Sequence, residues 1–182
     1  MQGLKIERLE PKDIAQAFPL IQLQHKGLTI AQWTDYAQRI IGTNRGSQRG
    51  ILAARNDQGV IYGIVQYEVR CNIEGLCQMG AANVVACGLF QEHSVHLTAA
   101  MIKTLERLAL GLGCQRVLFV VPETSNPATI GRLASILEAS GYRFTSTTFS
   151  KPIEQPRGKG RAVRRSDRET NASSNTVRMA TF

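Results

Sequence analysis

No apolar run in this 182-residue chain approaches the roughly 20 residues that cross a bilayer, so no membrane span is expected. The opening Met1-Gln2-Gly3-Leu4-Lys5-Ile6-Glu7-Arg8 carries no apolar leader, and export is not expected either. Cysteine is scarce. Cys71, Cys77, Cys87 and Cys114 fit neither a CxxC pattern nor another close metal-ligand spacing. They read as free thiols of a protein in the reducing cytoplasm. Negative charge is short as well, with 14 Asp+Glu against 22 Lys+Arg.

That imbalance is local. Residues 1–150 hold 14 Lys+Arg and 11 Asp+Glu, whereas residues 151–182 hold 8 and 3. From Pro152 onward the chain is rich in Arg, Ser, Asn and Thr, and its few apolar residues follow no period. Such a segment buries too little to offset its ordering entropy, so 153–182 reads as a disordered basic tail. Arg157-Gly-Lys-Gly-Arg161 and Arg164-Arg165 would be its contact points for nucleic acid or an acidic partner. The 43% hydrophobic content is enough for one core, which is assigned to a single domain over 1–152.

Within that domain the patterning predicts a short strand over Lys5–Leu9, then a helix opened by Pro11 and running to about Gln24. Ile14, Ala17, Phe18 and Ile21 share one face of this helix, and Pro19 should kink or split it. Thr29 suits the cap of a second helix in which Ile30, Trp33, Tyr36 or Ala37, Ile40 and Ile41 recur at helical spacing. Trp33 at that spacing reads as core. Strands Ile51–Arg55 and Val60–Arg70 flank Asn56-Asp57-Gln58-Gly59, a hairpin signal, and a second turn at Asn72–Gly75 leads into Leu76–Cys87. An apolar stripe through Leu97, Met101, Ile102, Leu105, Leu108, Ala109 and Leu112 predicts a helix over about Ser94–Leu110, opened by the loop Gln91–Thr98. Arg116–Val121 is the next strand, and Asn126-Pro127 opens a further helix that ends at Gly141. Phe144–Ser150 is the last strand.

Helices after the first strand, a three-strand meander, and then strand–helix–strand–helix–strand give an α+β domain: a mixed sheet with helices on both faces. Over residues 4–150 this order resembles the GNAT superfamily of acyl-CoA-dependent N-acyltransferases. The resemblance implies that two parallel strands, Leu76–Cys87 and Arg116–Val121, splay apart to admit acetyl-CoA or another acyl-CoA. The loop of pattern Arg/Gln-x-x-Gly-x-Gly/Ala, whose N–H groups hold the pyrophosphate in that family, falls on His93, Ser94, Val95, His96, Leu97 and Thr98. His93 stands at the Arg/Gln position, and His96 and Thr98 stand at the two glycines. The loop contains no proline, so every residue keeps a donor N–H. The family's cofactor-contacting Asn corresponds to Asn126, which equally suits a helix cap, and Leu137 occupies the place of the family's proton-donating Tyr.

The resemblance further implies a small-molecule or protein amine as acceptor and leaves a homodimer open. Glu74, Tyr67, Glu68 and Cys87 are the residues within reach of the expected cleft, and no catalytic residue is assigned among them. His93-x-x-His96 also has a metal-ligand spacing, with Cys87 or Glu92 as a third donor. The pair straddles the expected helix start and lacks a fourth ligand, so no metal is expected. Two function classes follow: an N-acyltransferase, or a catalytically inactive GNAT-like regulatory or scaffold module.

Overall fold

Two Asn-x-x-Gly turns set the register of the sheet. In a computed structural model that describes residues 3–42, 48–87, 91–120 and 127–143, Asn56 Oδ1 accepts the N–H groups of Gln58 (3.0 Å) and Val60 (2.9 Å). Asn72 Oδ1 does the same for Glu74 (3.0 Å) and Leu76 (2.9 Å). Asn side chains close such turns by standing in for a backbone carbonyl. The fourth position of each turn is a glycine at positive φ, Gly59 at +79° and Gly75 at +77°.

These turns join strands β2 (Arg49–Arg55), β3 (Ile61–Cys71) and β4 (Cys77–Ala86) into an antiparallel meander. Strand β1 (Lys5–Arg8) pairs antiparallel with β2, and β5 (Cys114–Phe119) pairs parallel with β4, giving the order β1-β2-β3-β4-β5. Helix α3 (Gln91–Gly111) is the crossover that a parallel neighbour requires. The mixed α+β sheet and the parallel pair both match the sequence expectation.

Side chains of successive strand residues point to opposite faces, which divides the core in two. One layer packs Ile51, Ala53, Ile61, Ile64 and Val85 beneath α1 (Ile14–Gln24) and α2 (Ile30–Ile41). The other packs Leu52, Ala54, Val65, Tyr67, Met79 and Ala81 against Leu97, Met101, Leu105 and Ala109 of α3. Gly63 permits the close approach of α3, since a Cβ there would lie 3.0 Å from Met101 Sδ and 3.2 Å from the Val85 carbonyl oxygen. Helix α4 (Pro127–Ala139) buries Leu137 and leads to Tyr142, whose hydroxyl donates to Glu106 of α3 at 3.0 Å. Among the described residues no helix is long and apolar enough to cross a membrane.

Local capping behaves as the residues dictate. Thr29 and Gln32 form a reciprocal capping box, while Ile30 at the first helical position stays half exposed. Trp33 is 2% exposed, and its Nε1–H donates to the Ile14 carbonyl at 2.7 Å, so the indole bolts α2 to α1. Pro19 does not split α1, which runs unbroken to Gln24.

The free-thiol expectation is corrected at two positions. Cys71 and Cys77 form a disulfide, as the β3–β4 register sets them directly opposite each other. Linear spacing does not reveal that opposition. Only Cys87 and Cys114 are free. The expected strand Phe144–Ser150, Asn126 and the tail 153–182 lie outside the described residues.

Candidate active site

The described pairing of β4 with β5 ends midway along β4. Their pairing runs from Cys77↔Cys114 to Ala81↔Phe119, and the Val120 N–H donates to the Ala81 carbonyl at 2.8 Å. Beyond that rung β4 continues to Ala86 along β3, with Ile64↔Val85 and Gly63↔Ala86, and among the described residues nothing pairs with its other edge. A bulge lies just past the last described rung. Gln66 pairs with Ala82 and Ile64 with Val85, so Asn83 and Val84 together oppose Val65. Asn83 sits at φ +51°, the one positive φ outside glycine among the described residues.

Three side chains from other elements hold this bulge. Gln66 Oε1 accepts from Asn83 Nδ2 at 3.0 Å and also from the Tyr36 hydroxyl of α2. Gln24, the last residue of α1, donates its amide to the Val84 carbonyl at 2.8 Å, replacing a ladder bond that the bulge interrupts. Burial pushes the Tyr36 phenol above its ordinary range, outweighing the downward pull of its bond to Gln66. It is therefore neutral throughout the physiological range. None of Tyr36, Gln66, Asn83 and Gln24 was singled out as a site residue from sequence. Asn inside an otherwise small and β-branched strand was the available signal, since Asn is depleted in strands and enriched at positive φ.

Helix α3 follows the end of β4, and it is present earlier than its apolar stripe suggested. The helix is already formed at Gln91, so the expectation of a loop reaching Thr98 is corrected. The first described turn, Gln91–His93, directs its N–H groups toward the start of the helix. From Ser94 onward they belong to the helix ladder. Ser94 Oγ donates back to the Ala86 carbonyl at 3.2 Å, Leu97 is 1% exposed in the core, and Thr98 Oγ1 donates to the Ser94 carbonyl at 2.8 Å. His93 is half-buried, whereas Val95 and His96 are exposed on the outer side of the first two turns. Glu92, also exposed, is the acidic residue of that first turn.

No protein-family model and no curated protein matches the chain. Solved structures do. Glucosamine-6-phosphate N-acetyltransferase from Arabidopsis thaliana superposes with TM-score 0.64 at 18% identity, over 84% of this chain and all of that one. An aminoglycoside N-acetyltransferase in complex with CoA gives 0.66 at 14% identity, over 82% of this chain and 94% of its own. Ribosomal-protein-alanine N-acetyltransferase from Brucella melitensis gives 0.64 at 15% identity, over 83% and 100%. The chain has the GNAT fold.

Within this GNAT fold the candidate bases separate by position. Tyr67 is fully buried on the α3 side of the sheet under the Arg8 guanidinium, 5.8 Å from its ring, and cannot meet a substrate. Glu74 lies in the β3–β4 turn beside Asn72, remote in chain and sheet from the bulge. Cys87 is exposed just past β4. Glu68 is on the α1/α2 side of β3, next to Gln66 on the same face, and forms an ion pair with Arg70 at 2.9 Å. Tyr142 lies on the other side, edge-on to Phe119. Asn126 falls outside the described residues.

Proposed function

We propose that the protein is an acyl-CoA-dependent N-acyltransferase acting on an amine, with acetyl as the simplest group transferred. The observation that carries the reading is the parallel β4–β5 pair with the Asn83 bulge just past its last described rung and α3 following β4. The residues present suit an acyl-CoA. Beyond Ala81 the outer edge of β4 has no strand beside it among the described residues, and Gly80 and Ala82 put only small side chains on the adjoining face. The structural neighbours support the reading, since their names are those of acetyltransferases and one is in complex with CoA.

Bound acyl-CoA would supply an activated thioester carbonyl at the bulge. Transfer forms a C–N bond, breaks the C–S bond and moves one proton from the amine to the departing sulfur. First-turn N–H groups of α3 would hold the pyrophosphate, with His93 and His96 placed to add charge when protonated. We keep His93, Ser94, Val95, His96, Leu97, Thr98 and Asn126 as the proposed cofactor segment, with Leu97 and Thr98 acting through the helix they anchor. Tyr36, neutral and hydrogen-bonded beside Asn83, is the proton donor proposed for the sulfur. Glu68 is the carboxylate proposed to take the amine's proton.

Calorimetry with CoA and acetyl-CoA tests this. Gln91→Pro removes one first-turn donor where proline is tolerated, and Gln91→Ala controls for the side chain. Backbone capture predicts weaker CoA binding by the proline variant than by its alanine control. His93→Ala should weaken binding if the imidazole contributes to holding the pyrophosphate. Failure of the folded wild type to bind at millimolar CoA would sink the proposal. The reading would then pass to the catalytically inactive module, which the Glu92 carboxylate in the phosphate-facing turn favours.

A further inference from the structure

On the α1/α2 side of the sheet, beyond the cover of the helices, cross-strand rungs place residues in rows. Arg70 pairs with Gln78, and Gln78 pairs with Arg116, so these three stand side by side across β3, β4 and β5. The next row on the same face is Glu68, Gly80 and Leu118, and the row after that begins with Gln66 and Ala82 at the bulge. Two arginines in one row repel each other unless something negative lies between them. Arg70 is held by its Nε and Nη2 donating to Glu68 Oε2 at 3.2 and 2.9 Å. Arg116 is exposed and has no ion-pair partner among the described residues. A cavity of about 410 Å³ lies at this end of the sheet, lined by Arg70, Gln78, Gln115 and Arg116 among others, with the Cys71 and Cys77 positions beside them. The disulfide closes the rung adjacent to Arg70↔Gln78, and the Asn72-centred turn caps it, so the β3 and β4 members of the row are held together.

We propose that Arg70, Gln78 and Arg116 bind an anionic group, a carboxylate or a phosphate monoester, at the far end of the amine acceptor. This rests on the N-acyltransferase reading. The guanidinium forks match either anion, and Gln78 and Gln115 add neutral donors between and beside them. Same-face rows lie about 7 Å apart along a strand, so the Gln66/Ala82 row lies about 13 Å from the arginine row. The acceptor is thus an amine roughly 7–13 Å from its own anion. It lies along a floor lined by the small residues Gly80 and Ala82.

The test uses the full-length chain, acetyl-CoA and two probes of one length, 8-aminooctanoate and 1-octylamine, with product measured by mass spectrometry. In the wild type the carboxylate should raise kcat/KM by about tenfold or more, the scale of charge-assisted hydrogen bonds. Arg70→Gln and Arg116→Gln should each shrink that ratio toward unity, Arg116→Lys should restore part of it, and inorganic phosphate should compete with 8-aminooctanoate. An undiminished ratio in both glutamine variants, or none in the wild type, overturns the proposal while leaving the transferase reading intact. If neither amine is acetylated, NMR of the arginine Nε–H groups during a phosphate titration decides separately. Saturable shifts that vanish in Arg116→Gln support the anion site although the transferase reading has failed. Their absence in the wild type overturns it.

Discussion

Asn83 offers the sharpest test of the site's construction. Replacing it with alanine removes the hydrogen bond from Nδ2 to Gln66 Oε1, a part-buried bond worth about 1 kcal/mol. It also forces a Cβ-bearing residue without Asn's local hydrogen bonding to hold φ +51°, at a further cost of about 1 kcal/mol. Asn83→Gly loses the same bond but adopts the backbone freely, and the strain it relieves largely offsets the entropy its unfolded chain gains. The expected losses are therefore about 2 kcal/mol for alanine and about 1 kcal/mol for glycine. In a chain of this size those correspond to Tm falls of about 4–8 °C and about 2–4 °C. Thermal melts followed by circular dichroism, with urea midpoints as a second measure, read the difference. The order matters more than the size. If alanine proves as stable as glycine or better, the positive φ is not maintained in solution and the bulge does not shape this end of β4. Calorimetry then tests the functional link, because a lost bulge should weaken CoA more than a core truncation matched to it in measured stability cost.

Trp33→Phe leaves the Ile14 carbonyl without its 2.7 Å donor in a buried site, and should cost about 1–3 kcal/mol in denaturant titrations. Without reductant, thiol titration of the denatured chain should find Cys87 and Cys114 only, rising to all four cysteines after reduction. Replacing Cys71 and Cys77 with serine should cost about 2 kcal/mol from the freed short loop; four titratable thiols at the outset would refute the bond. Tyr142 is held above its ordinary 10.0 by burial first and by the Glu106 carboxylate beside it second. The unfolded chain therefore releases this proton before the folded one does. The stabilisation is full below pH 10 and declines as pH rises above it, so Tyr142→Phe should flatten the alkaline fall in stability. Parallel alkaline slopes for wild type and variant would count against the Glu106 contact.

Much of the fold was legible because its signals are local. The Thr29–Gln32 capping box, the two Asn-x-x-Gly turns and the 3.6-residue stripe of α3 each act within a few residues, so the order of elements and the crossover to β5 could be read directly. The site depends on longer reach. Asn83 is bonded to a residue 17 positions away, Gln66 to Tyr36 at 30, and Val84 to Gln24 at 60. No window along the chain contains these pairs. The start of α3 was misplaced for a related reason. The stripe marks where the helix meets the core, whereas the extra turn before it is anchored by Ser94 reaching back to the end of β4. The Cys71–Cys77 bond and the Arg70–Gln78–Arg116 row are likewise products of strand register. Composition and periodicity decided which segments became helices and strands; only the packing of one against another decided which side chains face each other.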